Sequence, residues 1–142
     1  WPLIAEEGVP LTDIKHLNHV GTIPVHTDLA VDDAIDFYEK LGPARKEARL
    51  RYLQNYWTTK VRAIPRVRLH HPADPTKSCA IANVGIEGMK PSDLAERLLK
   101  EYKIYTVAID GGNIHGCRIT PNVFTTLPEL DVLVKAISEL AS

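Results

Sequence analysis

The stretch HGCRITPNVFTTLPEL, residues 115–130, places a guanidinium inside what reads as a short, half-buried strand: Arg118 stands between Cys117 and Ile119. Strand side chains alternate between faces, so Cys117 and Ile119 turned inward put Arg118 on the opposite face. There it is either a solvated strand residue or a planar fork for a carboxylate, held in one orientation by two parallel charge-assisted hydrogen bonds. Spacing alone favours neither. A second feature is VGT at 20–22. Gly21 allows close backbone approach, and Thr22 adds an amide and a hydroxyl, which together could cradle a phosphate. A turn accounts for the same residues more simply.

Other chemistry-bearing residues point less far. Zinc needs three or four ligands at regular spacing; HLNH (His16, His19) has no second cluster, CxxC and HExxH are missing, and the adjacent His70 and His71 would face opposite ways on a strand. The histidines therefore read as surface or loop residues, with no metal site. Cys79 and Cys117, both placed in predicted strands, read as reduced buried thiols rather than a disulfide framework. From Pro43 to His71 there are eight basic residues (Arg45, Lys46, Arg49, Arg51, Lys60, Arg62, Arg66, Arg68) against the single acid Glu47, interleaved with Tyr52, Tyr56 and Trp57. Such a stripe could meet a polyanion, but the net charge of −1 cancels it elsewhere and no RNP-like or glycine-rich clamp accompanies it. A solvated or docking helix face is the reading, with no nucleic acid as partner.

These residues need elements to hold them. A chain of 142 residues, 44% hydrophobic and 25% charged, is enough for one globular domain with a core, and no apolar run approaches the roughly 20 residues that span a bilayer. Residues 1–27, with no sustained periodicity, read as a linker from a preceding domain. From Thr27–Asp28, LAVDDAIDFYEKLG reads as a helix closing at Gly42, and Pro43 opens a second helix; the pair occupies 28–63. Then RVRLHH and SCAIANVGIEG read as strands paired or adjacent, Pro91–Ser92 starts a helix with Leu94, Leu98 and Leu99 on one face, and IYTVAID and HGCRITP form strands across the turn GGN. Thr126 and Glu129 give a capping-box start to a last helix carrying Leu130, Leu133, Val134, Ile137 and Leu140. Residues 66–142 thus run β-β-α-β-β-α: an α+β, two-layer domain, with helices on one face of a largely antiparallel sheet of about four strands, preceded by two helices.

Taken together, HVGTIPVHTDLAVDDAIDFYEKLG, ARKEARLRYL and CRITPNVFTTLPELDVLVKAI resemble the C-terminal part of class V aminotransferase family enzymes, which depend on pyridoxal phosphate; the branch they look most like is the isopenicillin N epimerase-like and cysteine desulfurase-like one. The resemblance runs over essentially the whole chain and implies the small domain of a fold-type I enzyme. It implies that Gly21 and Thr22 contact the cofactor phosphate of the neighbouring subunit in a homodimer. It also implies that Arg118 grips the α-carboxylate of an amino-acid substrate, and that Asn122 and Phe124 shape the rim of that site.

The same resemblance puts the reactive lysine, which holds the cofactor as a Schiff base, in a large domain ahead of Trp1. So are the aspartate on the pyridinium nitrogen and the aromatic on the ring. The expectation is a C-terminal fragment that is non-catalytic and does not bind the cofactor alone, cytoplasmic rather than exported. Transaminase or epimerase type ranks above desulfurase, because nothing here resembles a mobile cysteine loop. The competing reading is a stand-alone ferredoxin-like binding or regulatory module for a small ligand or RNA.

Overall fold

The computed structural model describes Thr12 and residues 25–142. The chain divides into two units that meet at Lys40 and Leu41. The first contains most of α1 (Val25–Leu41), an amphipathic helix none of whose residues is buried; it starts three residues ahead of the expected boundary, so Asp28 falls in its first turn, where an acid suits the helix dipole. Gly42, at φ 81, stops that helix, a conformation without penalty only for glycine.

The second unit carries the core. Helix α2 (Pro43–Val61) begins with proline at its first position and buries Leu53, Trp57 and Val61, spaced so that they share one face, while Tyr52 on another face stays exposed. Strand β1 (Val67–Leu69) starts one residue late because Arg66 sits at φ 65, outside any strand geometry, and it ends before His70 and His71, both expected in it. Next come a 3₁₀ turn (Pro75–Lys77), β2 (Ala82–Ile86), α3 (Pro91–Tyr102), β3 (Val107–Gly111), β4 (Ile114–Ile119) and α4 (Leu127–Ala141). The β-β-α-β-β-α order holds. Cys79, expected in the second strand, instead lies half-buried in the bend before β2. Leu99, expected on the packed face of α3, is exposed, because only Leu94 and Leu98 fall on the buried stripe.

The sheet is antiparallel throughout, in the order β1-β2-β4-β3. Cross-strand partners share a face, so Leu69, Val84, Cys117 and, one pair further along, Ala82 and Ile119 form the inner rows. These pack with Leu53, Trp57 and Val61 of α2, Leu94 and Leu98 of α3, and Leu130, Leu133, Ile137 and Leu140 of α4 in one hydrophobic core. Helix α4 starts on the expected capping box: Thr126 accepts from the Glu129 amide, and the Glu129 carboxylate accepts from the Thr126 amide at 2.7 Å.

The basic stripe is spent mainly inside the fold. Arg49 Nη2 donates to Thr125 O at 3.0 Å, fastening α2 to the loop after β4, and Arg66 Nη1 donates to Ala141 O at 3.1 Å, satisfying a carbonyl that the end of α4 leaves open. Lys60 lies 2.6 Å from Asp131 and over the Tyr56 ring, joining α2 to α4, while Arg51 and Arg68 pair with Glu47 and Glu87.

Candidate functional site on the sheet face opposite the helices

Strand β4 fixes Arg118 between two inward residues, Cys117 with no exposure and Ile119 nearly buried, so its side chain leaves on the face turned away from the helices. Its neighbours across the sheet are Asn83 on β2 and Val107 on β3. Among the described residues, Arg118 has neither a hydrogen bond nor an ion pair. An exposed guanidinium with all five donors uncommitted is chemically a receptor for a carboxylate or phosphate.

Pairing of β2 with β4 stops at Val84↔Cys117, although β3 and β4 stay paired to Gly111↔Ile114. Beyond the stop, the His115 carbonyl faces Gly85, where any Cβ would overlap it, and it lies 3.1 Å from His70 Nε2. Gly116, two residues before Arg118, is held equally close: an added Cβ would overlap the Val84 carbonyl and sit 2.5 Å from Asn83 Oδ1. The Asn83 side chain thus lies over Gly116 and the His70 ring over Gly85, filling space only glycine leaves. Asn83 is 4% exposed, and neither its Nδ2 nor its Oδ1 has a partner. Its backbone N–H donates to His71 Nδ1 at 3.0 Å; burial, with a further contribution from His70, lowers the His71 pKa and keeps that nitrogen free to accept.

The loop after β4 carries the two rim candidates. Asn122 is committed to the loop itself: its Oδ1 accepts from the Val123 amide at 2.7 Å and its amide donates to Thr125 Oγ1 at 3.0 Å. Phe124 projects outward at 76% exposure. Gly21, Thr22, His16 and His19 lie outside the described residues. Asn83, Gly85 and Gly116 escaped the sequence reading, although an asparagine inside the apolar run CAIANVGI was a signal that this strand needs an amide at one position.

Cys117 is not placed for nucleophilic work. Cys117 is buried, its thiol donates to Pro91 O at 3.4 Å, and burial raises its pKa. Among the lysines, Lys60 and Lys100 have raised pKa values because Asp131 and Glu96 hydrogen-bond their ammonium groups. That shift runs against imine formation, which needs the free amine. A separate groove of about 360 Å³ lies between the end of α3 and the start of α4, lined in part by Tyr102, Ile104, Thr106, Pro121 and Leu133. Among the described residues, no helix is long and apolar enough to cross a membrane.

The model of the family "Aminotransferase class-V" matches residues 4–120, a span that takes in Gly21, Thr22 and Arg118 and ends before Asn122 and Phe124. A search of curated protein sequences finds no match. Similar solved structures include the apo cysteine desulfurase of Thermococcus onnurineus (TM-score 0.76, 19% identity, 97% of this chain and 36% of that one). Two others are the cysteine desulfurase CsdA of Escherichia coli (0.71, 20%, 87% and 32%) and an alanine–glyoxylate aminotransferase of Nostoc sp. (0.65, 21%, 92% and 34%). The chain therefore spans about a third of the length of the proteins it resembles, and at these identities the likeness is one of fold.

Proposed function

This chain belongs to the class-V aminotransferase family, and we propose that it is the small, C-terminal domain of a pyridoxal-phosphate-dependent enzyme that acts on an amino acid by transamination or epimerisation. One observation carries the reading: β4 presents Arg118 on the sheet face opposite the helices, its guanidinium unpartnered among the described residues and its backbone fixed by Cys117 and Ile119 in the core. Arg118 binds the α-carboxylate, because a rigid fork matches two carboxylate oxygens and so orients the Cα substituents as well as neutralising charge. Phe124 and Asn122 border the same end of the strand and restrict the approach of the substrate. Gly21 and Thr22 contribute an amide and a hydroxyl to the phosphate of the cofactor bound by the neighbouring subunit of a homodimer.

The residues described fit the substrate side of such a site and not the cofactor's covalent anchor. Pyridoxal phosphate, when bound, draws electron density from the substrate Cα. The lysine that holds it belongs to a large domain preceding this chain, which supports the expectation that the piece is inactive alone. Coverage of only 32–36% of the neighbouring chains is consistent with such a domain. A desulfurase reading needs an accessible, low-pKa thiol, whereas Cys117 is buried with its pKa raised and Cys79 is half-buried. Family membership also displaces the stand-alone ferredoxin-like module. The paired arginines of α2 and β1 speak against nucleic acid as a partner.

The test is Arg118→Lys in the full-length protein. It should weaken amino-acid binding by roughly 10- to 100-fold, through loss of one charge-assisted hydrogen bond and the fork geometry, and leave cofactor content unchanged. Loss of cofactor with normal amino-acid affinity would assign Arg118 elsewhere.

A further inference from the structure

Asn83 presents a problem that the reading above does not solve. An amide whose donor and acceptor are both shut off from water and from protein partners is costly, and natural folds keep such a group only for a reason. It does not fill a core void, since it lies on the face of the sheet opposite the helices, directly across from Arg118. Gly116 is what admits it: any Cβ there would come within 2.5 Å of Asn83 Oδ1. The chain thus combines an orphan amide, the glycine that seats it and an uncommitted guanidinium within one pair of strand neighbours, where facing Cβ atoms lie about 5 Å apart.

We propose that Asn83 is a positioning residue for Arg118. As the guanidinium turns onto a substrate carboxylate, Asn83 Oδ1 accepts one of its remaining N–H groups, locking the fork in the plane that binds both carboxylate oxygens. An arginine needs such a partner, because its long side chain otherwise loses much of its binding energy to rotamer entropy. Asn83 is the right type for the task. Its acceptor is neutral, so it orients the guanidinium without neutralising it, whereas an aspartate at the same place would form a standing ion pair and compete with the ligand.

This inference rests on the carboxylate role of Arg118, and the experiment separates the two. In the full-length protein, binding of L-alanine and of ethylamine, which lacks the carboxylate, is measured by calorimetry for Asn83→Ala, Asn83→Ser, Asn83→Asp, Arg118→Lys and Asn83→Ala/Arg118→Lys. The expected result is about 10-fold weaker L-alanine binding for Asn83→Ala, a larger loss for Asn83→Asp, unchanged ethylamine binding, and a double variant no weaker than Arg118→Lys. If Asn83→Ala does not fold, Asn83→Ser, which keeps a small polar group there, is judged on the same comparison. Unchanged L-alanine affinity in the Asn83 variants alongside a weakened Arg118→Lys would overturn the positioning role and leave Arg118 in place. Unchanged affinity in Arg118→Lys would remove both, and equal losses for L-alanine and ethylamine would reduce Asn83 to a structural residue.

Discussion

Gly116→Ala tests the close packing of the sheet face that carries Arg118. The added methyl would overlap the Val84 carbonyl, which is backbone, and meet Asn83 Oδ1 at 2.5 Å, so the relief has to come from β2 and β4 moving apart. Overpacking of this kind costs about 1–3 kcal/mol, and weakening a ladder bond beside Val84↔Cys117 adds about 1 kcal/mol. Against this, replacing glycine lowers the entropy of the unfolded chain and returns about 0.4–1 kcal/mol. The balance is a destabilisation of roughly 2 kcal/mol, or about 4–8 °C in melting temperature for a domain of this size.

The shift matters for the site because Arg118 is two residues along the same strand. A displacement of about 1 Å in such a group can cost about 100-fold in function. Thermal melts, hydrogen exchange of the β2 and β4 amides, and amino-acid titration of the full-length protein measure the three consequences. Gly111→Ala is the matched control: its added Cβ meets nothing within 4 Å, so stability should stay the same or rise. A Gly116→Ala protein with wild-type melting and exchange would refute the close approach of β2 and β4 on which the seating of Asn83 depends.

Three further outcomes are expected. His71 has a lowered pKa in the fold, so its contribution to stability is present above its unfolded value of 6.5 and is lost as pH falls through the folded one; the protection factor of the Asn83 amide, taken relative to its intrinsic exchange rate at each pH, should fall as the pH drops below 6.5, and His71→Asn should flatten that dependence. Arg49→Ala removes donors to Val123 O and Thr125 O and should cost about 1–3 kcal/mol, with faster exchange confined to residues 122–126, as seen by mass spectrometry. Cys117 has a raised pKa, so its contribution is complete below the unfolded value near 9.0 and lost as pH rises through the folded one; the native protein should resist thiol reagents at pH 8, and Cys117→Ala should lessen the fall in stability toward pH 10.

The elements that position the site were legible because their signals are local. Proline at the first turns of α2 and α3, the Thr126–Glu129 box and the alternation around Cys117–Ile119 each act within a few residues, and each appears where spacing placed it. What the residues alone left open was long-range. Nothing in CAIANVGI says that Asn83 will face Arg118, since that register is set by a pairing more than thirty residues apart. Nor does RVRLHH reveal that Arg66 will adopt φ 65 with its side chain at the end of α4, which moves the start of β1 to Val67.

The arginines themselves supply an argument for where function lies. A guanidinium in this chain is ordinarily put to structural use: Arg45 and Arg49 donate to backbone carbonyls, Arg51 does so while pairing with Glu47, Arg66 donates to the carbonyls of Glu87 and Ala141, and Arg68 and Arg97 hold glutamates. Among the described residues Arg62 and Arg118 are the two without such a partner. Arg62 stands just past the last turn of α2, where a cation is favourable near the carbonyl end of a helix and needs no further partner. Arg118 has no helix end to complement, and the side-chain amide of its cross-strand partner Asn83 is left unused among the described residues. Among the described residues the other strand and helix guanidiniums are paired, and the contrast supports the proposal that Arg118 and the facing amide serve a group from outside the domain. A planar fork suits a carboxylate or a phosphate, and the proposed amino-acid substrate supplies the former.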